Sequence, residues 1–218
     1  MSRTLYAKAL DELEKQILKM GGLVEEQINL SIMSLANQDL ELAENIIIKD
    51  DIIDNLELEI EERCLKLIAT QQPMAKDLRR ISAGLKIITD LERIGDNAVD
   101  ISKITIRIGT DKLIKPLIDL PRMALITQEM LKNSLDSYIN GDVELALTLA
   151  KKDDQVDELH SQIFRELISY MFENPKNINQ CAHLLFVSRY LERIADHATN
   201  IGENVIYMVK AERRSLNN

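Results

Sequence analysis

The chain has 218 residues, of which 45% are hydrophobic, 29% charged and only 4% aromatic, and its net charge is −9. This composition supports a buried core and is typical of long helices rather than of a disordered chain. The negative charge argues against a general nucleic-acid binder, which needs a basic surface. No apolar run approaches the ~18 residues of a membrane-spanning helix, and the charged N-terminal residues contain no signal-peptide core, so we expect a cytoplasmic protein.

Hydrophobic periodicity predicts six long helices, separated by short segments that contain Pro, Gly, Asn or Asp. We expect Asp39 to cap the second helix at its N-terminus and Gly141 to follow the end of the fourth. Pro73 and Pro175 mark the tight turns before the third and sixth helices. The predicted helices cover residues 4–35, 40–70, the segment from after Pro73 to 108, 122–139, the segment from after 142 to 172, and 178–212.

The second half of the chain repeats the first. Residues 38–54, "QDLELAENIIIKDDIID", match residues 141–157, "GDVELALTLAKKDDQVD", and "LERIGD" at 91–96 returns as "LERIAD" at 191–196. Repetition at this scale predicts a duplicated structural unit. The predicted fold is therefore all-α, with two tandem antiparallel three-helix bundles. We place the first repeat at 1–110, a linker at 111–121 and the second repeat at 122–218.

Each repeat carries two pairs of carboxylates on its second and third helices, and the members of a pair are four residues apart. That spacing places both side chains on one helix face, where like charges repel. Within each repeat the two pairs lie at similar distances from the turn, so an antiparallel hairpin brings them to one level. The pairs are Asp50 with Asp54, Glu92 with Asp96, Asp153 with Asp157, and Glu192 with Asp196.

Carboxylates gathered in this way require a bound cation or a raised pKa to offset their repulsion. Oxygen-rich sites suit Mg²⁺, Mn²⁺, Ca²⁺ or iron, and they also hold Zn²⁺. Asp100 extends the acidic row of the first repeat, whereas its counterpart Asn200 is a weaker ligand. His160 stands where the first repeat has Glu57, so the two sites are expected to differ chemically. The spacing leaves open whether further side chains complete the sites, namely Asn200, Glu26, Glu129, Glu203 and His160.

A simpler alternative treats the acids as a solvated surface. Arg93 and Arg193 follow the motif glutamates, and Arg79 and Arg80 open the third helix, so ordinary surface salt bridges are an open explanation. His183 is expected to be a packing residue and His197 a partly buried polar residue. Cys64 and Cys181 have no CxxC spacing and are expected to be buried thiols.

The stretch "QQPMAKDLRRISAGLKIITDLERIGDNA", together with the four acidic pairs, resembles the PhoU family of bacterial phosphate-transport and phosphate-signalling regulators. The resemblance covers essentially the whole chain. It implies a duplicated three-helix bundle that carries a multinuclear metal cluster of iron or zinc, with manganese or magnesium as further candidates. The metal ligands that it implies are Asp50, Asp54, Glu92, Asp96, Asp153, Asp157, Glu192 and Asp196. Asp100, which extends the first acidic row, is a further candidate ligand.

The same resemblance implies a regulator without catalytic residues, which restrains phosphate uptake and phosphate-starvation signalling. The expected partners are the ATPase subunit of the phosphate ABC transporter, the phosphate sensor histidine kinase and a second copy of the chain. It implies contact with the membrane only through those partners. Two rival functions are a helical adaptor that needs no metal and a carboxylate-bridged di-metal enzyme. The enzyme is disfavoured because the Glu-x-x-His spacing of such bundles does not occur.

Overall fold

The computed structural model describes residues 3–216; residues 1–2 and 217–218, at the outer ends of the two predicted repeats, lie outside the described residues. Every regular element within 3–216 is helical, which confirms the all-α prediction. The helices are α1 (Arg3–Asn37), α2 (Leu40–Lys49), α3 (Asp51–Gln71), α4 (Ala75–Ile108), α5 (Asp119–Asn140), α6 (Val143–Glu173) and α7 (Ile178–Lys210).

The predicted second helix is divided in two at Asp50, between α2 and α3. Asp50 keeps helical dihedral angles (φ −59°, ψ −37°), so the change is local and the two helices follow one another closely. In the second repeat the counterpart Asp153 lies inside the continuous helix α6. The two repeats therefore differ in backbone at equivalent acidic residues.

Matched caps open the second helix of each repeat. The side chain of Asp39 accepts a hydrogen bond from the Leu42 amide, and that of Asp142 accepts one from the Leu145 amide. Such a cap satisfies a backbone donor that the first turn leaves free. Gly141 ends α5 in the left-handed conformation (φ 61°), as predicted.

Helix α5 begins at Asp119, three residues before the predicted start at 122. Pro121 is compatible with this earlier start because the first turn of a helix has no acceptor for its own amides, so the missing N–H costs nothing. The last helix ends at Lys210 rather than 212. The exact boundaries between repeats and linker stay a prediction.

Helices α4 and α7 lie antiparallel at the centre and join the two repeats. Arg79 Nε of α4 donates to the Met208 carbonyl of α7 at 3.2 Å. Eleven residues later in α4, Asp90 meets His197, which lies eleven residues earlier in α7. This constant register fixes the relative height of every residue on the two helices.

The buried side chains form one core that continues through both repeats. Leu91 and Ile94 of α4 and Leu191 and Ile194 of α7 are completely buried within it. The two motif phrases "LERI" therefore contribute leucine and isoleucine to the core. Their glutamates lie at the edge of that core, with 17% of each side chain exposed.

Candidate functional site

The first acidic cluster, defined here as Asp50, Asp54, Glu92 and Asp96, lies on the hairpin of α3 and α4. Its members lie close enough to interact electrostatically. Burial raises the pKa of Glu92 to about 7, and the charge of Asp96 adds to the effect. Burial also raises the pKa of Asp50 and of Asp54, with Asp96 contributing to each. The structure thus brings the four predicted carboxylates together at one level.

Gln27 of α1 closes the inner side of the first cluster, and the sequence analysis did not identify it. Its side chain is 7% exposed, and Nε2 donates to Asp50 Oδ1 at 3.0 Å. Its Oε1 is buried without a hydrogen-bond donor. A Cβ atom on Gly95 would lie 3.2 Å from this oxygen, so the glycine leaves room for the amide. The sequence offered one indication of its role: Gln27 lies among apolar residues of α1 that are buried, and its equivalent in the second repeat is the apolar Met130.

The second acidic cluster, defined here as Asp153, Asp157, Glu192 and Asp196, lies on the hairpin of α6 and α7. Burial raises the pKa of Asp153 to about 7, and the charges of Asp157 and Asp196 add to it. Burial also raises the pKa of Asp157 and of Asp196, and Glu192 contributes to both. Asp153 is 8% exposed, and the Thr199 hydroxyl lies 3.4 Å from its Oδ1. The second repeat therefore gathers its four carboxylates as the first does.

His160 borders the second cluster. Its Nδ1 lies 2.9 Å from the Ser188 hydroxyl and its Nε2 lies 3.9 Å from Glu192 Oε2. In the first repeat the equivalent Glu57 accepts a hydrogen bond from Thr89 at 3.1 Å. The predicted chemical difference between the repeats is therefore located at this pair of residues.

Arginine side chains lie against both clusters. Arg93 Nε is 3.2 Å from Glu92 and its Nη1 is 3.0 Å from Asp96. In the second cluster Arg189, rather than the predicted Arg193, pairs with Glu192. Both arginines are about half exposed, and pairs of this kind contribute little to stability.

The other predicted arginines serve different contacts. Arg79 bonds the Met208 carbonyl and Arg80 pairs with Glu14 of α1. Of the arginines named in the salt-bridge alternative, Arg93 forms the expected pairs with cluster carboxylates. Arg79 and Arg80, at the start of α4, instead connect this helix to α7 and α1.

Several further candidates point elsewhere. Asp100 pairs with Lys103 at 2.9 Å, and Glu129 pairs with Lys152 at 2.7 Å. Glu203 accepts the Leu216 amide at 2.7 Å. Asn200 Nδ2 lies 3.5 Å from Asp90, and Glu26 is exposed beside a groove lined by α1, α2 and α3. His183 is half-buried, and burial together with the charge of Arg107 lowers its pKa.

Within residues 3–216, no three Asp, Glu, His or Cys side chains converge on one point that a metal ion would occupy. The donors nevertheless fit a cation by type and charge, because each cluster holds four carboxylates, and burial together with neighbouring negative charges raises the pKa of Glu92 and of Asp153. The unpartnered Gln27 oxygen is a neutral potential ligand atom beside the first cluster. A cation site requires side-chain rotation that releases Arg93 and Arg189. Ligation of a metal by the predicted residues stays a prediction.

No helix in the described part of the chain is sufficiently long and apolar to span a lipid bilayer. The family model of the PhoU domain matches twice, over residues 17–105 and 120–205. These two matches contain all residues of the two acidic clusters.

Two relatives that are similar to this chain over almost its whole length have the same name. A phosphate-specific transport system accessory protein PhoU homolog of Clostridium acetobutylicum is 42% identical over 218 residues, covering all of both chains. The homolog of Aquifex aeolicus is 45% identical over 205 residues, or 94% of this chain and 93% of that protein.

Two crystal structures of PhoU proteins have the same fold as this chain. The crystal structure of PhoU from Pseudomonas aeruginosa superposes with a TM-score of 0.90 at 36% identity, covering 95% of this chain and all of the other. The phosphate transport system regulatory protein PhoU from Streptococcus pneumoniae gives a TM-score of 0.90 at 30% identity, covering 96% and 99%. The likeness therefore extends over the whole fold.

Proposed function

This chain belongs to the PhoU family, and from that membership we propose that it is a cytoplasmic regulator that restrains phosphate uptake and phosphate-starvation signalling when phosphate is plentiful. The observation that carries the proposal is similarity over the full length to proteins described as accessories of phosphate-specific transport. The role is one of binding: the chain contacts the ATPase subunit of the phosphate transporter and the sensor histidine kinase, and it pairs with a second copy of itself. It has no catalytic role in this proposal.

The second part of the proposal is that each acidic cluster holds cations. Support comes from the burial and mutual repulsion of the carboxylates, which leave Glu92 and Asp153 with pKa values of about 7. A divalent cation removes that repulsion and turns each cluster into a rigid polar surface for a partner. The Asp and Glu side chains would hold the ion, with Gln27 beside the first cluster and His160 beside the second.

The regulatory part is tested in the organism that carries the gene. Deletion is expected to raise phosphate uptake and the activity of a phosphate-starvation reporter in phosphate-rich medium, and the intact gene is expected to restore both to low values. A deletion strain that responds to phosphate as the wild type does contradicts the regulatory role.

The cation part is tested by elemental analysis of purified, tag-free protein after incubation with iron, manganese or zinc. The test variant replaces Glu92, Asp96, Glu192 and Asp196 with Ala. The matched control removes the same charge from exposed positions outside the clusters, at Glu41, Glu44, Glu59 and Glu62. Bound metal in the wild type and control, lost in a test variant that is still helical, supports cation binding. No metal in the wild type leaves the chain as a metal-independent helical adaptor.

A further inference from the structure

The imidazole of His160 is held in one orientation by a buried serine. Ser188 is completely buried, and its hydroxyl donates its single hydrogen to the Leu185 carbonyl at 3.0 Å. A hydroxyl that donates to this carbonyl presents its oxygen as an acceptor to His160 Nδ1, which lies 2.9 Å away. We assign the proton of the neutral ring to Nδ1 on this basis, and Nε2 then carries the free lone pair.

His160 Nε2 faces the second acidic cluster. Nε2 of His160 is 3.9 Å from Glu192 Oε2, and the ring is close enough to Asp157 to influence its ionisation. A histidine that binds a metal usually donates its other ring N–H to a fixed acceptor, and Ser188 supplies such an acceptor here. The ring is thus arranged to place one nitrogen among carboxylate oxygens.

The first cluster is built from oxygen donors instead. Glu57 replaces His160, and Ile88 stands where the second repeat has Ser188, so the serine acceptor is missing as well. In its place the first cluster has the buried, unpartnered amide oxygen of Gln27. The corresponding residue of the second repeat is Met130, which is fully buried and supplies no oxygen.

We propose that His160 gives the second cluster a nitrogen ligand through Nε2, and that the two clusters consequently differ in how strongly they prefer Zn²⁺ over Mn²⁺. Imidazole favours borderline transition ions such as Zn²⁺, whereas carboxylate and amide oxygens favour Mg²⁺ or Mn²⁺. The second cluster is therefore expected to prefer Zn²⁺ over Mn²⁺ more strongly than the first cluster does. This inference rests on the proposed function, because it requires the clusters to bind cations.

The direct test is long-range ¹H–¹⁵N NMR of the three histidine rings, recorded before and after addition of Zn²⁺. The inference predicts an Nδ1–H tautomer for His160 in the metal-free protein and a shift of its Nε2 resonance on binding. His183 is the internal control and is expected to stay unchanged. Zinc uptake without any change at His160 Nε2 overturns the inference while cation binding itself survives.

Matched variants test selectivity. His160→Gln is expected to lower zinc affinity at least tenfold and leave manganese affinity unchanged, and Gln27→Met is expected to lower manganese affinity and leave zinc affinity unchanged. Ser188→Ala keeps the imidazole but removes its acceptor, so weakened zinc binding in this variant identifies Ser188 as a positioning residue. His183→Gln is the control for loss of a ring far from the cluster.

The outcomes separate the two proposals. Equal zinc affinity in wild type and His160→Gln, with helicity retained in both, overturns the selectivity inference alone. Failure of the wild type to bind either ion overturns cation binding in the proposed function and the selectivity inference with it, and leaves the regulatory role to be judged by the deletion strain.

Discussion

Asp90 Oδ1 of α4 lies 3.0 Å from His197 Nδ1 of α7, across the interface of the two repeats. Both side chains are mostly buried, with 15% and 19% of their surface exposed. The duplicated positions hold Tyr190 and Asn97, which make other contacts: Tyr190 stacks on Phe186, and Asn97 donates to the Arg93 carbonyl at 2.6 Å. The interface thus contains this polar contact once, on one side of the central helix pair.

Replacing Asp90 with Ala is expected to lower the free energy of unfolding by about 1–2 kcal/mol, because His197 is left part-buried without its acceptor. Urea denaturation measures the change, and a double-mutant cycle with His197→Ala isolates the pair. Asp11→Ala removes an exposed partner of Lys15 and is expected to cost under about 0.5 kcal/mol. Equal costs for the two substitutions would mean that the contact contributes nothing beyond a surface pair.

The raised pKa values of Glu92 and Asp153 predict that metal-free protein loses stability as pH rises. Each carboxyl has a pKa of about 7 in the folded chain and about 4 when unfolded. The folded state therefore binds more protons between these values, so the stabilisation present below pH ~4 is lost as pH rises through ~7. Chemical denaturation between pH 5 and 8, with a chelator present, measures this slope.

Glu92→Gln and Asp153→Asn remove the ionisable groups and test the cause of that slope. Each is expected to raise the free energy of unfolding at pH 8 by about 1 kcal/mol or more and to flatten the pH dependence. Glu41→Gln, at an exposed position, is expected to change neither. An unaltered slope in both cluster variants would assign the pH dependence to other groups.

Removal of the cluster arginines is expected to strengthen cation binding. Arg93 and Arg189 pair with carboxylate oxygens that would ligate a cation in the proposed sites, and each adds a positive charge beside its cluster. Because such exposed pairs are worth up to about 1 kcal/mol, Arg93→Ala or Arg189→Ala should raise manganese or zinc affinity by about two- to fivefold. Isothermal titration calorimetry measures the affinity, with Lys15→Ala as the charge-matched control. Weaker binding in both arginine variants would show that the arginines support the sites rather than compete with cations.

Gly21 and Gly22 are adjacent in α1 but differ in how closely another helix approaches them. A Cβ atom on Gly21 would collide with Leu135 of α5, whereas a Cβ on Gly22 meets nothing within 4 Å. Gly22→Ala should therefore raise stability by about 0.5–1 kcal/mol through helix propensity, and Gly21→Ala should gain less or lose stability. Thermal unfolding of both variants checks the order, and a larger gain for Gly21→Ala would contradict the close approach of α1 and α5.

The duplicated hairpins could be predicted because turn position and helix geometry determine the level of each residue. Distances along the chain from Pro73 place Asp54 opposite Glu92, and the structure brings these residues together in the first cluster. The N-cap at Asp39 could also be predicted, because it depends only on residues close to it in the sequence.

Other features depend on tertiary contacts that sequence spacing does not reveal. Arg189 and Arg193 both lie within reach of Glu192 along α7, and packing decides in favour of Arg189. Gln27 becomes significant only because α1 packs beside Asp50 and Gly95. The break at Asp50 has no signal in the hydrophobic pattern, because the residue stays helical in its dihedral angles.

The antiparallel pairing of α4 and α7 has the form of an isologous subunit interface, in which a two-fold axis would require every contact to occur twice. Joining the halves in one chain removes that requirement. One half can then place Asp90 opposite His197 while the related positions hold Tyr190 and Asn97. The same freedom allows Glu57 and His160 to differ, so covalent fusion lets each half acquire its own chemistry without disturbing the other.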